Sequence, residues 1–203
     1  MDKNFEYMRV AAAVPLLKVA DPNYNAKEIA KVTVRAAEEE VRVLVFPELS
    51  MTGYTCQDLF KQKTLISECE EALRFLLEET KHLNMLIAIG MPVKADNQLF
   101  NCAVLLKEGK ILGIIPKTYI PNYNEFYEGR WFAPSTNRIS DAITLCEQEI
   151  IFSENLLFRD NLSSLCVGVD VCEDLWVNIP PSSYHTMYGA NLILNLSASN
   201  EAV

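Results

Sequence analysis

The run Val43-Leu44-Val45-Phe46 is apolar at consecutive positions and is stopped by Pro47. Consecutive rather than alternating apolar residues are what a strand needs when both of its faces are covered. Leu86-Ile87-Ala88-Ile89 repeats the pattern. Val10–Val14, Leu165–Val171 and Leu192–Leu196 are further β-rich runs, and Ala103–Leu106 and Ile111–Ile115 flank Lys107-Glu108-Gly109-Lys110, a hairpin signal with glycine in the turn. Between these runs the period changes. After the break at Asp21-Pro22-Asn23, apolar residues fall at 26, 29, 30, 34, 37 and 41. Leu65, Ile66, Cys69, Ala72, Leu73, Leu76 and Leu77 form a regular stripe in a helix expected over Leu65–His82. Covered strands interleaved with amphipathic helices predict an α/β layered domain. The polar and aromatic stretch Thr118–Asp160 reads as a long loop, of a length that is functional or flexible.

The chain has 203 residues, half of them apolar, which suits one domain or one domain and a fragment. Its net charge of −9 disfavours nucleic acid or an anionic membrane as partner, because both select a basic surface. No apolar run has bilayer-spanning length and the first residues show no signal-peptide pattern, so a cytoplasmic location is the default expectation. The six cysteines have no C-x-x-C spacing, which argues against zinc and for free, mostly buried thiols. No metal site and no phosphate-cradling glycine loop is expected in this segment.

Three reactive side chains share one context: Glu48, Lys117 and Cys172 each follow directly on a buried β-run. Ligand sites in α/β proteins gather beyond strand ends, so the three are candidates for one pocket. Their chemistry is complementary. A cysteine thiolate attacks an amide carbon, a carboxylate takes the thiol proton, and a fixed ammonium stabilises the developing oxyanion. Cys172 also reads as opening a short helix, Cys172–Trp176, although Glu173 and Asp174 beside it are anionic. Each residue alone has a plainer reading, as a loop charge, a surface lysine or a core thiol. The two histidines have little to offer a Cys–His pair: His82 reads as a helix C-cap and His185 as part of a helix start.

The segments 46–54, 116–128 and 170–176 resemble the nitrilase superfamily, and most specifically the glutaminase domains of glutamine-dependent NAD synthetases. Lys-Thr-Tyr-Ile-Pro-Asn-Tyr-Asn-Glu-Phe-Tyr-Glu, Cys-Glu-Asp-Leu-Trp and Asn195–Asn200 carry the resemblance furthest. It implies an αββα sandwich with Glu48, Lys117 and Cys172 as the triad and Glu125 as a second glutamate near the nucleophile. It further implies Tyr54, Tyr123, Phe126, Glu173 and Ser199 lining a pocket for L-glutamine. The implied reaction releases ammonia to a synthetase domain of the same protein, which uses ATP and Mg to amidate deamido-NAD; self-association is also implied. Residues 1–203 are then expected to be an incomplete glutaminase domain, truncated at its C-terminal end, with the synthetase domain absent. The alternatives are a free-standing nitrilase-type amidase or carbamoylase and a non-catalytic assembly module on the same scaffold.

Overall fold

A computed structural model describes residues 7–199. β1 (Val10–Ala12), β2 (Val43–Val45) and β3 (Leu86–Ala95) pair in parallel. β4 (Gln98–Lys107) and β5 (Lys110–Pro116) extend this sheet antiparallel, in the order β1-β2-β3-β4-β5. The β4–β5 turn carries positive φ at both Glu108 (50°) and Gly109 (74°), the backbone of a tight hairpin turn matched to strand twist. β3 is longer than its sequence signal because it continues past the end of β2 to pair with β4; Pro92 lies in this extension, where no β2 neighbour needs its missing N–H.

α1 (Pro22–Glu38) and α2 (Lys63–Thr80) lie against one face of this sheet. Their buried stripes, with Ala26 and Ile29 from α1 and Cys69, Leu73 and Leu76 from α2, meet Ile87, Ile89 and Met91 of β3 and Val104 of β4. The alternate residues Leu86, Ala88, Ala103 and Leu105 point the other way and pack on Val167, Val169, Val171, Leu194 and Leu196. Those belong to a second sheet, in which β8 (Phe158–Arg159) pairs antiparallel with β9 (Cys166–Val171) and β9 pairs in parallel with β10 (Leu192–Leu196). The period-2 alternation of each strand thus divides its side chains between two cores. α3 (Pro181–Met187) crosses from β9 to β10, and an ideal Cβ on Gly168 would lie 2.8 Å from the His185 Cβ, which puts α3 on the outer face of β9. The layers are therefore helix, sheet, sheet, helix, the αββα sandwich expected.

Two expectations change. The stretch expected as a long loop holds a hairpin, β6 (Ala142–Leu145) and β7 (Gln148–Ile151), as well as β8. Its turn uses positive φ at Cys146 (49°) and Glu147 (62°), without the glycine that signals such a turn. His82 is no cap: α2 ends at Thr80 with Lys81 as C-cap, and His82 is exposed. The helix start expected at His185 is present, since α3 begins at Pro181, and His185 is only 3% exposed within it, its Nε2 3.1 Å from the Glu154 carbonyl oxygen.

Candidate active site

Glu48 is delivered by a turn that rests on β3. A Cβ on Gly90 would lie 2.3 Å from the Leu49 nitrogen and 2.6 Å from the Pro47 oxygen, so only glycine lets the turn lie this close. The turn is pinned by Met51 N–H donating to the Gly90 carbonyl at 2.9 Å, and by Gly90 N–H donating to Ser50 Oγ at 3.2 Å. Lys117 follows β5, its backbone N–H donating to the Asn101 carbonyl at 2.8 Å. Cys172 follows β9 at φ 48°, a left-handed conformation that a side chain seldom adopts. Such strain persists only where surrounding structure holds it, and it collects at functional sites.

These strand ends converge. The Lys117 Nζ, with no solvent exposure, donates to Glu48 Oε1 at 2.7 Å and to Glu128 Oε1 and Oε2 at 2.8 and 3.0 Å. Asn101 Nδ2 donates to Glu48 Oε1 at 2.7 Å and reaches Glu128 Oε2 at 3.4 Å. The Ala198 N–H donates to Glu48 Oε2 at 3.1 Å. The Cys172 sulfur accepts from Ser197 Oγ at 3.3 Å and lies 4.0 Å from Ser199 Oγ, and the two serine hydroxyls are 2.6 Å apart. Asp174 closes the assembly: its carboxylate accepts from the backbone N–H of Tyr119 (2.8 Å), Thr118 (3.0 Å) and Val171 (3.1 Å), joining the segment after Lys117 to the residue before Cys172.

The electrostatics follow from burial. Desolvation opposes the Lys117 charge, but Glu48 and Glu128 outweigh it and hold its pKa above the usual lysine value. Burial pushes the Glu48 carboxyl up, the Glu128 charge adds to this, and Lys117 and Asn101 pull it back. Burial also pushes the Cys172 thiol up, Glu48 adds to the effect, and Ser197, Lys117 and the Ala198 N–H oppose it. All six cysteines are free and buried.

The remaining expected residues divide. Tyr54 Oη donates to Glu128 Oε1 at 2.7 Å. Tyr123 Oη donates to Glu173 Oε2 at 2.8 Å at the mouth, and the Phe126 ring packs edge-on to Tyr123 with centroids 5.9 Å apart. Glu125 departs from expectation: it is exposed, and the second carboxylate at the triad is Glu128, 2% exposed. The chain turns at Tyr123–Phe126 and returns with Glu128 N–H bonded to the Pro121 carbonyl at 3.2 Å, which carries residue 128 inward in place of 125. Glu128, Asn101, Ser197 and Asp174 are additions to the expected set. Asn101 had a readable signal, a polar residue inside the apolar strand Phe100–Leu106; Glu128 had none that separates it from Glu125. Among the described residues no cluster of His, Cys, Asp and Glu could hold a metal ion, and no helix is long and apolar enough to cross a membrane.

The chain is 33% identical over 194 residues to the glutamine-dependent NAD(+) synthetase of Mycobacterium tuberculosis, which covers 95% of this chain and 28% of that protein. It is 31% identical to the enzyme of the same name from Thermotoga maritima, over 95% of this chain and 30% of that one. The chain thus spans under a third of the length of these relatives. Among solved structures, a glutamine-dependent NAD(+) synthetase from Cytophaga hutchinsonii superposes with a TM-score of 0.78 at 27% identity, over 96% of this chain and 31% of that one. An amidase from Nesterenkonia sp. shares the fold, with a TM-score of 0.70 at 19% identity over 96% of this chain and 66% of that one. With residues 9–202 matching the carbon–nitrogen hydrolase family model, the chain belongs to the carbon–nitrogen hydrolases.

Proposed function

We propose that this chain is the glutamine amidohydrolase part of a glutamine-dependent NAD synthetase, with Cys172 as nucleophile, Glu48 as base and Lys117 as the fixed cation. The observation that carries the reading is the convergence of Glu48, Lys117 and the strained Cys172 in one buried network. Glu48 takes the thiol proton as the Cys172 sulfur bonds to the carboxamide carbon of L-glutamine. The carbonyl oxygen becomes an oxyanion, which the Lys117 charge stabilises in the low-dielectric site. Glu48 returns the proton to the amide nitrogen, the C–N bond breaks, and ammonia leaves a Cys172 thioester. Water then attacks the thioester with Glu48 again as base, giving glutamate and restoring the thiol.

Glu173 and Tyr123 support an amino-acid substrate, because a carboxylate at the mouth suits the α-ammonium group. A site for small uncharged amides has no use for that charge. The hydroxyls of Ser197 and Ser199 beside the sulfur suit the polar end of the substrate. The relatives, both glutamine-dependent NAD(+) synthetases by name, support glutamine as substrate and a synthetase domain of the same protein as ammonia acceptor; the use of ATP and Mg by that domain, a cytoplasmic location and self-association complete the reading we propose. The test is release of ammonia and glutamate from L-glutamine against acetamide and propionamide. Glutamine turnover lost in Cys172→Ala supports the reading; turnover of the small amides alone replaces it with an amidase.

A further inference from the structure

Among the described residues, Asn101 is the one polar side chain contributed to the triad from within a strand. It is fully buried between Phe100 and Cys102, both also fully buried. Its Nδ2 donates to Glu48 Oε1 at 2.7 Å and points to Glu128 Oε2 at 3.4 Å. Two facing carboxylates accept hydrogen bonds and give none when ionised, which fixes the amide with nitrogen toward them. The opposite atom, Oδ1, is buried with no partner among the described residues. A buried amide whose oxygen goes unsatisfied is destabilising by itself, so the nitrogen side is where this residue has its use.

We infer that Asn101 is the positioning residue of the base: with Lys117 it fixes Glu48 Oε1, leaving Oε2 as the oxygen that takes the Cys172 proton. This rests on the hydrolytic reading above. Oε1 has a cation and an amide on it, both at 2.7 Å. Among the described residues Oε2 has only the Ala198 N–H, at 3.1 Å, and that same N–H also acts on the Cys172 thiol. The oxygen on the cysteine side is therefore the one with fewer donors and the greater basicity. A carboxylate free to rotate would present either oxygen, and the donor on Oε1 removes that freedom. Asn101 also favours the ionised form of Glu48. The charged and titratable groups around that carboxyl are Lys117 from the end of β5, Glu128 from the loop after it, Cys172 after β9 and Tyr54 after β2.

The test is Asn101→Leu, of similar size and without donors, read in two ways. The infrared band of the protonated Glu48 carboxyl, assigned by its absence in Glu48→Gln, reports the titration without any need for turnover. The inference expects the pH midpoint of that band to rise by about one unit or more, since hydrogen bonds to charged groups are worth at least that. It also expects kcat for glutamine to fall roughly 10- to 100-fold at unchanged KM, with the acid limb of the profile moving up with the band. An unmoved band overturns the inference whatever the activity. A shifted band in a chain whose unsubstituted form turns over no glutamine leaves the Asn101–Glu48 coupling standing and overturns the base assignment with the reaction. Should Asn101→Leu fail to fold, the unsubstituted protein decides. Side-chain amide proton resonances of Asn101 that titrate with Glu48 support the inference, and resonances flat across that titration overturn it.

Discussion

The Asp174 carboxylate accepts the Tyr119 backbone N–H at 2.8 Å and so ties the chain leaving Lys117 to the turn that carries Cys172. The same carboxylate takes Thr118 and Val171, so one side chain sets the distance between cation and nucleophile. Asp174→Ala leaves the buried Val171 N–H and the part-buried Thr118 and Tyr119 N–H groups without this acceptor, at about 1–3 kcal/mol for the buried one and less for the others. We expect a chemical-denaturation loss of at least about 2 kcal/mol and slower labelling of Cys172.

Asp174 also gives a pH signature. Burial pushes its carboxyl up to about 7, against the Tyr119 and Val171 N–H groups and the Lys117 charge, which favour the ionised form. The folded pKa lies above the ordinary aspartate value of 3.8. Its stabilising contribution is therefore complete below about pH 4 and declines as pH rises toward 7. The thermal midpoint of Asp174→Asn, followed from pH 4 to 8, should lack this part of the slope. Parallel curves for the two proteins would contradict the assignment.

Lys117 is enclosed by two carboxylates and has no exposure. Removing it leaves buried negative charge unpaired, a change worth about 3–5 kcal/mol. Lys117→Met should lose that much in urea denaturation. Adding Glu128→Gln to it should recover a substantial part, because the second substitution takes away one of the stranded charges. Additive losses in the double variant would show that the two residues are not coupled.

Gly90 is expected to be intolerant of the smallest change. A Cβ there meets backbone atoms of Pro47 and Leu49, which have no rotamer to give way. Gly90→Ala should lose about 1–3 kcal/mol by overpacking and should displace Glu48. Glutamine hydrolysis should then fall more than stability alone explains, as judged by turnover in samples that circular dichroism shows to be folded.

At the mouth, Tyr123→Phe should leave Glu173 without the hydroxyl that holds it. A raised KM for L-glutamine at nearly constant kcat is expected, since a contact made equally in ground and transition states acts on binding. Glu173→Gln should raise KM further, because it also removes the charge that faces the substrate ammonium.

The legible part of this fold is what period and punctuation encode. Val43–Phe46 could be read as a covered strand because every residue is apolar, and Cys166–Val171 because all but Gly168 and Asp170 are; Glu48 and Cys172 stand out by following them. Lys117 is marked in the same way by β5. Glu128 was not separable from Glu125: both lie in one polar loop, and only the return of the chain onto Pro121 chooses between them. Asn101 announces itself as polar within an apolar strand, but its partners come from residues 48 and 128, distant in the chain. The β6–β7 hairpin escaped because Cys146 and Glu147 adopt positive φ where glycine or asparagine is the usual sign. Ser197 acts from the end of β10, where the register of the second sheet, not any local pattern, brings it to the sulfur.

The central claim is that Cys172 is the nucleophile of a formed glutamine pocket. The most direct measurement is incubation with a diazo-ketone analogue of glutamine, with the adduct located by peptide mass spectrometry. The account predicts one adduct per chain, on Cys172, suppressed by excess L-glutamine and lost in Lys117→Ala. Adducts spread over the other five cysteines, or a folded chain in which Cys172 stays unmodified, would contradict it.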